Sequence, residues 1–227
     1  GTVDYTITPS ANGCSGTPLV ITVTVDPVPD VLATPAAETL CDGATTGIVL
    51  SNPNAVAGTQ YTWTQVSTGV AGAANQAIAV AGPIADVLSL SVANVGGSVT
   101  YTVTPLVNGC SGIPVNVIVT VNPIPDVLAI DETICSGATS NVVITNPNAV
   151  AGTTYSWTAA ATNVTGSGNG SGNVIAQVLT STTGNTQGTV DYTITPSANG
   201  CSGTPVTVDV TVNPTPTLAT TPAQQII

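Results

Sequence analysis

Hydrophobic and polar residues alternate along much of the chain with a period of two. In the segment 206–212, valine occupies every even position, whereas Thr207, Asp209 and Thr211 occupy the odd positions. Because successive side chains of a β-strand point to opposite faces, this alternation predicts a strand with one face in a core and the other in water. The segment 190–194 has the same pattern, with valine, tyrosine and isoleucine on one face. A turn-forming run, Ser-Ala-Asn-Gly-Cys-Ser-Gly, separates the two segments, so we expect them to form an antiparallel hairpin.

The sequence of this hairpin occurs three times. Residues 1–18, GTVDYTITPSANGCSGTP, are identical to residues 188–205, and a divergent copy, SVTYTVTPLVNGCSGIP, occupies residues 98–114. The cysteines of the three copies are 96 and 91 residues apart. The chain is therefore built on a repeat of about ninety residues.

Two other landmarks follow the same repeat. The segment CDGATTGIVLSNPNAVAGTQYTW begins at Cys41, and the similar CSGATSNVVITNPNAVAGTTYSW begins at Cys135. A Pro-x-Pro segment, beginning at Pro27, Pro123 and Pro214, ends each repeat. Proline has a fixed φ and no N–H group, so it ends a strand and makes a short, stiff connector.

These landmarks predict the domain organisation. We expect residues 1–28 to be the C-terminal hairpin of a preceding repeat, residues 29–123 and 124–214 to be two complete repeats, and residues 215–227 to begin a following one. Since the chain has neither an initiator methionine nor a signal peptide, we expect an internal fragment or a processed chain.

The repeat length and the short alternating strands predict an all-β protein made of tandem immunoglobulin-like or PKD-like β-sandwich domains. Each complete repeat has one tryptophan, and few other large side chains are available to fill its centre. We therefore assign four aromatic residues to the cores: Trp63, Trp157, Tyr101 and Tyr192. The alternative for the tryptophans is a platform on which a sugar ring stacks.

Composition excludes several classes of function. The 227 residues include no Lys, Arg, His, Met or Phe, and 11 acidic residues give a net charge of −11. Without cations the chain cannot neutralise nucleic-acid phosphates or anionic lipid headgroups. No run of residues approaches the ~20 apolar positions of a membrane helix. We expect neither nucleic-acid binding nor membrane insertion.

The same composition argues against an enzyme, because acid–base and oxyanion chemistry commonly use His, Lys or Arg. The carboxylates are scattered, so we predict no catalytic residues, no cofactor and no metal site. A calcium ion near Asp30 or Asp126, just after a Pro-x-Pro segment, is a weaker alternative because the ligand set is sparse.

Five cysteines predict disulfides and therefore an oxidising, exported location. The repeat suggests pairing Cys41 with Cys110 and Cys135 with Cys201, while Cys14 pairs with a residue upstream. A simple sandwich places the two members of such a pair at opposite poles, however. The alternative is a bond between neighbouring domains, Cys41 with Cys201.

The segments that begin at Cys41 and Cys135, together with NGCSGTPVTVDVTVNPTP and the period near ninety, resemble the PKD-like or immunoglobulin-like repeats of giant Bacteroidota surface proteins. Such arrays occur in proteins of the type IX secretion system, including gliding-motility adhesins of the SprB kind. The resemblance covers the whole chain. It implies an extracellular, cell-surface filament that mediates adhesion, and it carries over no catalytic residue.

The leading hypothesis is therefore a structural stalk or filament segment of a large surface adhesin, whose partners are neighbouring repeats of its own chain. One alternative is a subunit of a self-assembling extracellular fibre, in which other copies of the chain are the partners. A carbohydrate-binding module, with a surface or glycan ligand, is the other alternative.

Overall fold

The computed structural model describes residues 1–217, and these contain β-strands, turns and connecting segments with no helix. The predicted all-β class is confirmed. The first hairpin consists of β1 (Thr2–Ile7), β2 (Ser10–Ala11), β3 (Cys14–Ser15) and β4 (Leu19–Thr24). The repeat 29–123 contains β5 (Leu32–Thr34), β6 (Ala37–Cys41), β7 (Val49–Ser51), β8 (Gln60–Thr68), β9 (Val70–Ala71), β10 (Gln76–Val80), β11 (Ser89–Leu90), β12 (Gly97–Val107), β13 (Cys110–Ser111) and β14 (Val115–Asn122). The repeat 124–214 contains β15 (Glu132–Cys135), β16 (Val142–Val143), β17 (Thr154–Thr162), β18 (Val164–Thr165), β19 (Gly170–Ser171), β20 (Val174–Ile175), β21 (Thr180–Ser181), β22 (Gly188–Ala198), β23 (Cys201–Ser202) and β24 (Val206–Asn213).

The repeat 124–214 is a sandwich of two layers. One layer is the sheet β15-β24-β22-β17-β19, with β23 paired beside β22. Strands β22 and β24 are antiparallel, as the alternation predicts, and β15 runs parallel to β24. The short pairs β16-β20 and β18-β21, together with the bridge between Thr139 and Val178, make the other layer.

The repeat 29–123 has the corresponding topology. Its main sheet has the order β10-β8-β12-β14-β6, with β13 beside β12. The pairs β5-β7 and β9-β11 and the bridge between Ile48 and Ile84 correspond to the second layer.

The apolar residues of the alternating pattern form the core of each sandwich. In the repeat 124–214, Val190, Tyr192 and Ile194 of β22 are completely buried, while Asp191 between them is exposed. The hydrophobic cluster around them includes Trp157 and side chains from both layers. Burial of an aliphatic or aromatic side chain of this size contributes about 1.5–3 kcal/mol, so the inward face supplies the main stabilising term.

Each core also encloses a hydrogen-bonded tyrosine. The hydroxyl group of Tyr101 donates to Asp86 Oδ2 at 2.7 Å, and that of Tyr192 donates to Gln177 Oε1 at 2.7 Å. Each of these acceptor atoms also accepts a backbone N–H at 2.9 Å. The N–H of Ala74 donates to Asp86 Oδ2, and the N–H of Gly168 donates to Gln177 Oε1. These bonds give polar groups inside the sandwich the partners that burial demands.

Burial changes the titration of both tyrosines. It raises the pKa of Tyr192 to about 12. Burial is also the largest cause that raises the pKa of Tyr101, and the hydrogen bond and negative charge of Asp86 add to it. Both hydroxyl groups therefore stay protonated as donors at neutral pH.

The first hairpin shows how much burial depends on context. Its strands β1 and β4 pair antiparallel, with Tyr5 opposite Ile21. Tyr5 is 56% exposed, whereas Tyr192, at the same position of the identical sequence, is completely buried. An identical sequence thus folds into the same hairpin with and without a second layer over it.

Contacts within the chain divide the structure into two compact units. The first comprises residues 1–39, 44–89 and 98–120, and the second comprises residues 40–43, 90–97 and those from 121 onward. Two short segments of the repeat 29–123 therefore group with the repeat that follows it in sequence. The predicted start of a further repeat, residues 215–227, falls from residue 218 onward outside the described residues.

A close backbone approach fixes one glycine of the last hairpin. A Cβ atom built on Gly203 would lie 1.9 Å from the carbonyl oxygen of Pro125, in the Pro-x-Pro segment. Since this obstacle is main chain, a side chain at position 203 requires the connector to move.

We therefore expect Gly203→Ala to lower the free energy of unfolding by about 1–3 kcal/mol, the usual cost of overpacking. Urea unfolding followed by tryptophan fluorescence measures the loss. Gly184→Ala is the matched control, because a Cβ at that position meets nothing within 4 Å. Equal losses in the two variants would contradict the close approach.

Candidate functional site

Among residues 1–217 one disulfide forms, between Cys41 and Cys201, with their Cα atoms 5.6 Å apart. Both cysteines belong to the second compact unit. The bond joins a cysteine of the repeat 29–123 to a cysteine of the next repeat. The preferred pairing of Cys41 with Cys110 and of Cys135 with Cys201 is therefore wrong, and the alternative Cys41–Cys201 is the pair that forms.

Strand register explains the correction. Cys135 lies opposite Asn213, the last residue of β24, whereas Cys201 lies in the turn that precedes β24. The strand has eight residues, and at ~3.3 Å per residue it separates the two cysteines by roughly 25 Å. A disulfide needs Cα atoms closer than ~7 Å, so a bond within this repeat is impossible.

A two-residue turn presents Cys201. Ala198 pairs with Cys201, which leaves Asn199 and Gly200 as the loop, with φ values of 51° and 83°. Positive φ at both positions is typical of the type I′ turn that Asn-Gly favours, and its twist matches that of the flanking strands. The sequence Asn-Gly-Cys therefore fixes the position of the cysteine at the tip of the hairpin.

The other side of the joint is the end of β14. The backbone N–H of Asp42 donates to the carbonyl oxygen of Asn122 at 2.9 Å, which holds Cys41 beside the strand end. The side chain of Asn122 donates from Nδ2 to the carbonyl oxygen of Asn199 in the turn, at 2.8 Å. Cys201 Sγ lies 3.9 Å from the Asn122 carbonyl oxygen and is almost completely buried. We call Cys41, Asp42, Asn122, Asn199 and Cys201 the cystine joint.

Sequence reasoning named the two cysteines of this joint and missed its asparagines. A signal was present, because Asn122 and Asn213 both stand in the sequence Val-Asn-Pro that ends a complete repeat. Strand alternation alone gives no reason to single out a residue at a strand end.

The other three cysteines are thiols in the part of the chain that the structure describes. Cys14 and Cys135 are exposed, and Cys110 is partly buried. The disulfide of the joint is covalent and its two cysteines do not titrate, so its chemistry is to cross-link rather than to react.

The acidic residues proposed as weak calcium ligands make local backbone contacts. Asp30 Oδ1 accepts the N–H of Val31 at 2.7 Å, and Asp126 Oδ1 accepts the N–H of Val127 at 2.8 Å. Among residues 1–217, no three acidic, histidine or cysteine side chains lie close enough together to hold a metal ion.

The tryptophans lie inside the sandwiches. Trp63 and Trp157 are 8% and 7% exposed, and each indole N–H donates to a backbone carbonyl, of Ala74 at 3.1 Å and of Gly168 at 3.3 Å. A Cβ on Gly170 would meet the Trp157 ring at 2.6 Å, so this glycine covers the ring face closely. Such burial leaves little ring surface on which a sugar could stack.

One cross-strand pair on the outer face is repulsive. Asp191 of β22 lies directly opposite Asp209 of β24. Partial desolvation raises the pKa of Asp209, and the negative charges of Asp191 and Asp131 raise it further, as does a hydrogen bond with Asp191. Like charges at directly opposed positions weaken a strand pair.

Comparison with known families accounts for most of the chain. A family model described as a PKD-like domain matches residues 1–29, 38–125 and 132–216. The chain belongs to the PKD-like domain family. No curated protein matches these PKD-like repeats in sequence. Among residues 1–217, no helix has the length and apolar character needed to span a bilayer.

Several solved structures share weak similarity with the PKD-like repeats. The Escherichia coli adhesin FdeC is 20% identical, with 92% of this chain and 74% of that chain covered and a TM-score of 0.41. The fibronectin(III)-like modules of Clostridium thermocellum CbhA are 10% identical, covering 82% and 95%, with a TM-score of 0.34. Mouse protocadherin-24 EC1-3 is 14% identical, covering 94% and 80%, with a TM-score of 0.30. All three TM-scores are below 0.5, so no function is transferred from these proteins.

Removing the cystine should destabilise the PKD-like repeats. Its cysteines are 160 residues apart, and for a loop of that size the chain-entropy model gives up to about 5 kcal/mol. We expect Cys41→Ser and Cys201→Ser to lower the free energy of unfolding by about 2–5 kcal/mol, measured by urea denaturation without reductant. Cys14→Ser is the control, because Cys14 is an exposed thiol, and a comparable loss in that variant would contradict the assignment.

The acidic pair predicts a pH-dependent effect. A raised pKa in the folded state means that folding favours the protonated Asp209, so this group opposes folding at neutral pH and ceases to do so as the pH falls through its folded pKa. We expect Asp209→Asn to raise Tm at pH 7, with the gain lost at acidic pH and reduced in 1 M salt. Asp4→Asn is the matched control, since Asp4 lies opposite Thr22 instead of an acid. A gain that persists at acidic pH would contradict the repulsion.

Proposed function

We propose that these PKD-like repeats are a structural stalk or filament segment of a large extracellular bacterial surface adhesin. The observation that carries the proposal is the recurrence of one sandwich at a period of about ninety residues, with apolar residues buried at corresponding strand positions in each complete repeat. Arrays of this kind form extended proteins whose length scales with the number of repeats.

The chemistry of the chain agrees with a passive role outside the cell. The cystine joint favours an oxidising compartment, because cytosolic thiols are kept reduced. The large aromatic residues of the complete repeats are used in the cores, and the absence of Lys, Arg and His leaves few groups suited to catalysis. We therefore propose a non-enzymatic role in cell-surface attachment.

We extend the proposal to export by a type IX secretion system and to gliding motility. This step is supported by the sequence resemblance alone. Loss of the protein from the surface of a strain that lacks this secretion system, with its mRNA level unchanged, would support it. Normal surface display in that strain would contradict it.

An alternative is a subunit of a self-assembling extracellular fibre, in which a strand from a second copy of the chain adds to a sheet edge. The mass of the natural polypeptide separates the two functions, because a stalk requires a chain far longer than 227 residues.

The number of repeats should determine how far the filament extends from the cell surface. Because the sequence of residues 1–18 recurs at 188–205, residues 1–187 can be deleted from the natural polypeptide so that an identical hairpin takes the place of the one removed. Strand β12 has 11 residues and spans about 37 Å at ~3.4 Å per residue. If repeats follow end to end, the deletion should shorten the surface filament by about 75 Å, measured by electron microscopy of antibody-labelled cells.

The matched variant carries a second copy of residues 1–187 and should lengthen the filament by the same amount. Adhesion to the natural surface should persist in both variants. Loss of adhesion at unchanged filament length would contradict the stalk and favour a binding module.

A further inference from the structure

We propose that the cystine joint is one member of a series, and that Cys135 is the docking position for the hairpin-turn cysteine of the next PKD-like repeat. In this series, the strand-end cysteine of each repeat bonds to the turn cysteine of the repeat that follows. The proposal needs only a further repeat downstream, so it holds whether or not the array serves adhesion.

The surroundings of Cys135 reproduce those of Cys41. Each cysteine ends the strand that flanks the last strand of its repeat, β6 beside β14 and β15 beside β24. The residue after each cysteine donates its N–H to the asparagine carbonyl at the end of the last strand. These distances are 2.9 Å for Asp42 to Asn122 and 2.8 Å for Ser136 to Asn213. The backbone arrangement of the joint at Cys41, Asp42 and Asn122 therefore exists a second time, at Cys135, Ser136 and Asn213. We call this second arrangement the second platform.

The asparagine of that platform has an amide group available. In the joint, Asn122 Nδ2 donates to the turn carbonyl of Asn199. At the second platform, Asn213 Oδ1 accepts a hydrogen bond from Gln187 Nε2 at 2.8 Å, and among residues 1–217 the Nδ2 group has no partner that would keep it from a corresponding turn. Cys135 is exposed, whereas Cys41 is partly covered where the turn sits against it.

The complementary part recurs with the same backbone shape. In the three Asn-Gly-Cys-Ser-Gly turns, φ is 49°, 49° and 51° at Asn12, Asn108 and Asn199. At the following glycines φ is 82°, 82° and 83°. The Pro-x-Pro carbonyl also approaches the last glycine of two turns in the same way, at 1.9 Å from a Cβ built on Gly112 or Gly203. Each repeat thus presents its turn cysteine in the geometry that Cys201 has in the joint.

Bond formation is an ordinary thiol–disulfide exchange. The two thiols lose two protons and two electrons as the S–S bond forms, and a disulfide oxidant, such as oxidised glutathione, is reduced to two thiols. The series would make each pair of neighbours covalently continuous. A single backbone cut between residues 41 and 201 would then leave the two pieces attached.

The series can be tested with an engineered polypeptide that contains two copies of the sequence. In it, residues 1–214 of the first copy are followed directly by residues 28–227 of the second copy. This junction preserves the repeat because Pro214-Thr215-Pro216 and Pro27-Val28-Pro29 are equivalent. Cys110→Ser in the first copy and Cys135→Ser in the second make every cysteine of interest unique. The chain is refolded in a glutathione buffer, alkylated with iodoacetamide, digested with pepsin and analysed by mass spectrometry.

We expect a peptide that joins Cys135 of the first copy to Cys110 of the second, with Cys14 as the one alkylated cysteine. The Cys41–Cys201 peptide, which has the same sequence in both copies, reports correct folding in the same sample. Alkylation of Cys135 and Cys110, or a bond from Cys135 to any other cysteine, would overturn the series. Absence of the Cys41–Cys201 peptide would also overturn it, because that bond is its template. None of these outcomes depends on adhesion or filament length.

Discussion

Parallel pairing of the short strand β15 with the last strand β24 is the constraint on which the joint between repeats depends. Because the pairing is parallel and places Cys135 opposite Asn213, the strand-end cysteine lies at one end of β24 and the turn cysteine at the other. The eight residues of β24 make a bond within the repeat impossible. The same arrangement leaves Cys201 at a pole of the sandwich, where it bonds to Cys41 at a strand end of the other repeat. A local register thus decides a covalent link between domains.

The register itself depends on burial. A slip of one residue in β22 would move Val190, Tyr192 and Ile194 to the outer face and carry Asp191 inward, which an aliphatic core without cations does not tolerate. The buried tyrosine adds a polar requirement, because its hydroxyl group needs an acceptor inside the sandwich. One repeat supplies an aspartate and the other a glutamine. These side chains differ in charge and length, yet each accepts one hydrogen bond from the tyrosine hydroxyl group and one from a backbone N–H.

The two identical segments 1–18 and 188–205 separate local from tertiary effects. Both form paired strands around the same Asn-Gly turn, since alternation and positive φ at Asn and Gly are local properties. Only the second copy is buried, because burial needs strands that lie far away in sequence. Cys14 and Cys201 occupy the same position in two turns of identical sequence, but among residues 1–217 only Cys201 is bonded.

The sequence by itself determined the all-β class, the repeat period, the hairpins, the inward-facing residues and the absence of cationic chemistry, because these follow from alternation, turn residues and composition. The tertiary structure alone decided the disulfide partner, the asparagines that hold the joint, the acceptors of the buried tyrosines and the assignment of residues 40–43 to the following unit. Each of these depends on which strand ends meet in space. Periodicity along one strand says which side of a sheet a residue faces, but not which distant segment stands at the end of that sheet. For that reason the five cysteines could be found by counting, whereas their pairing required the register of β15 and β24.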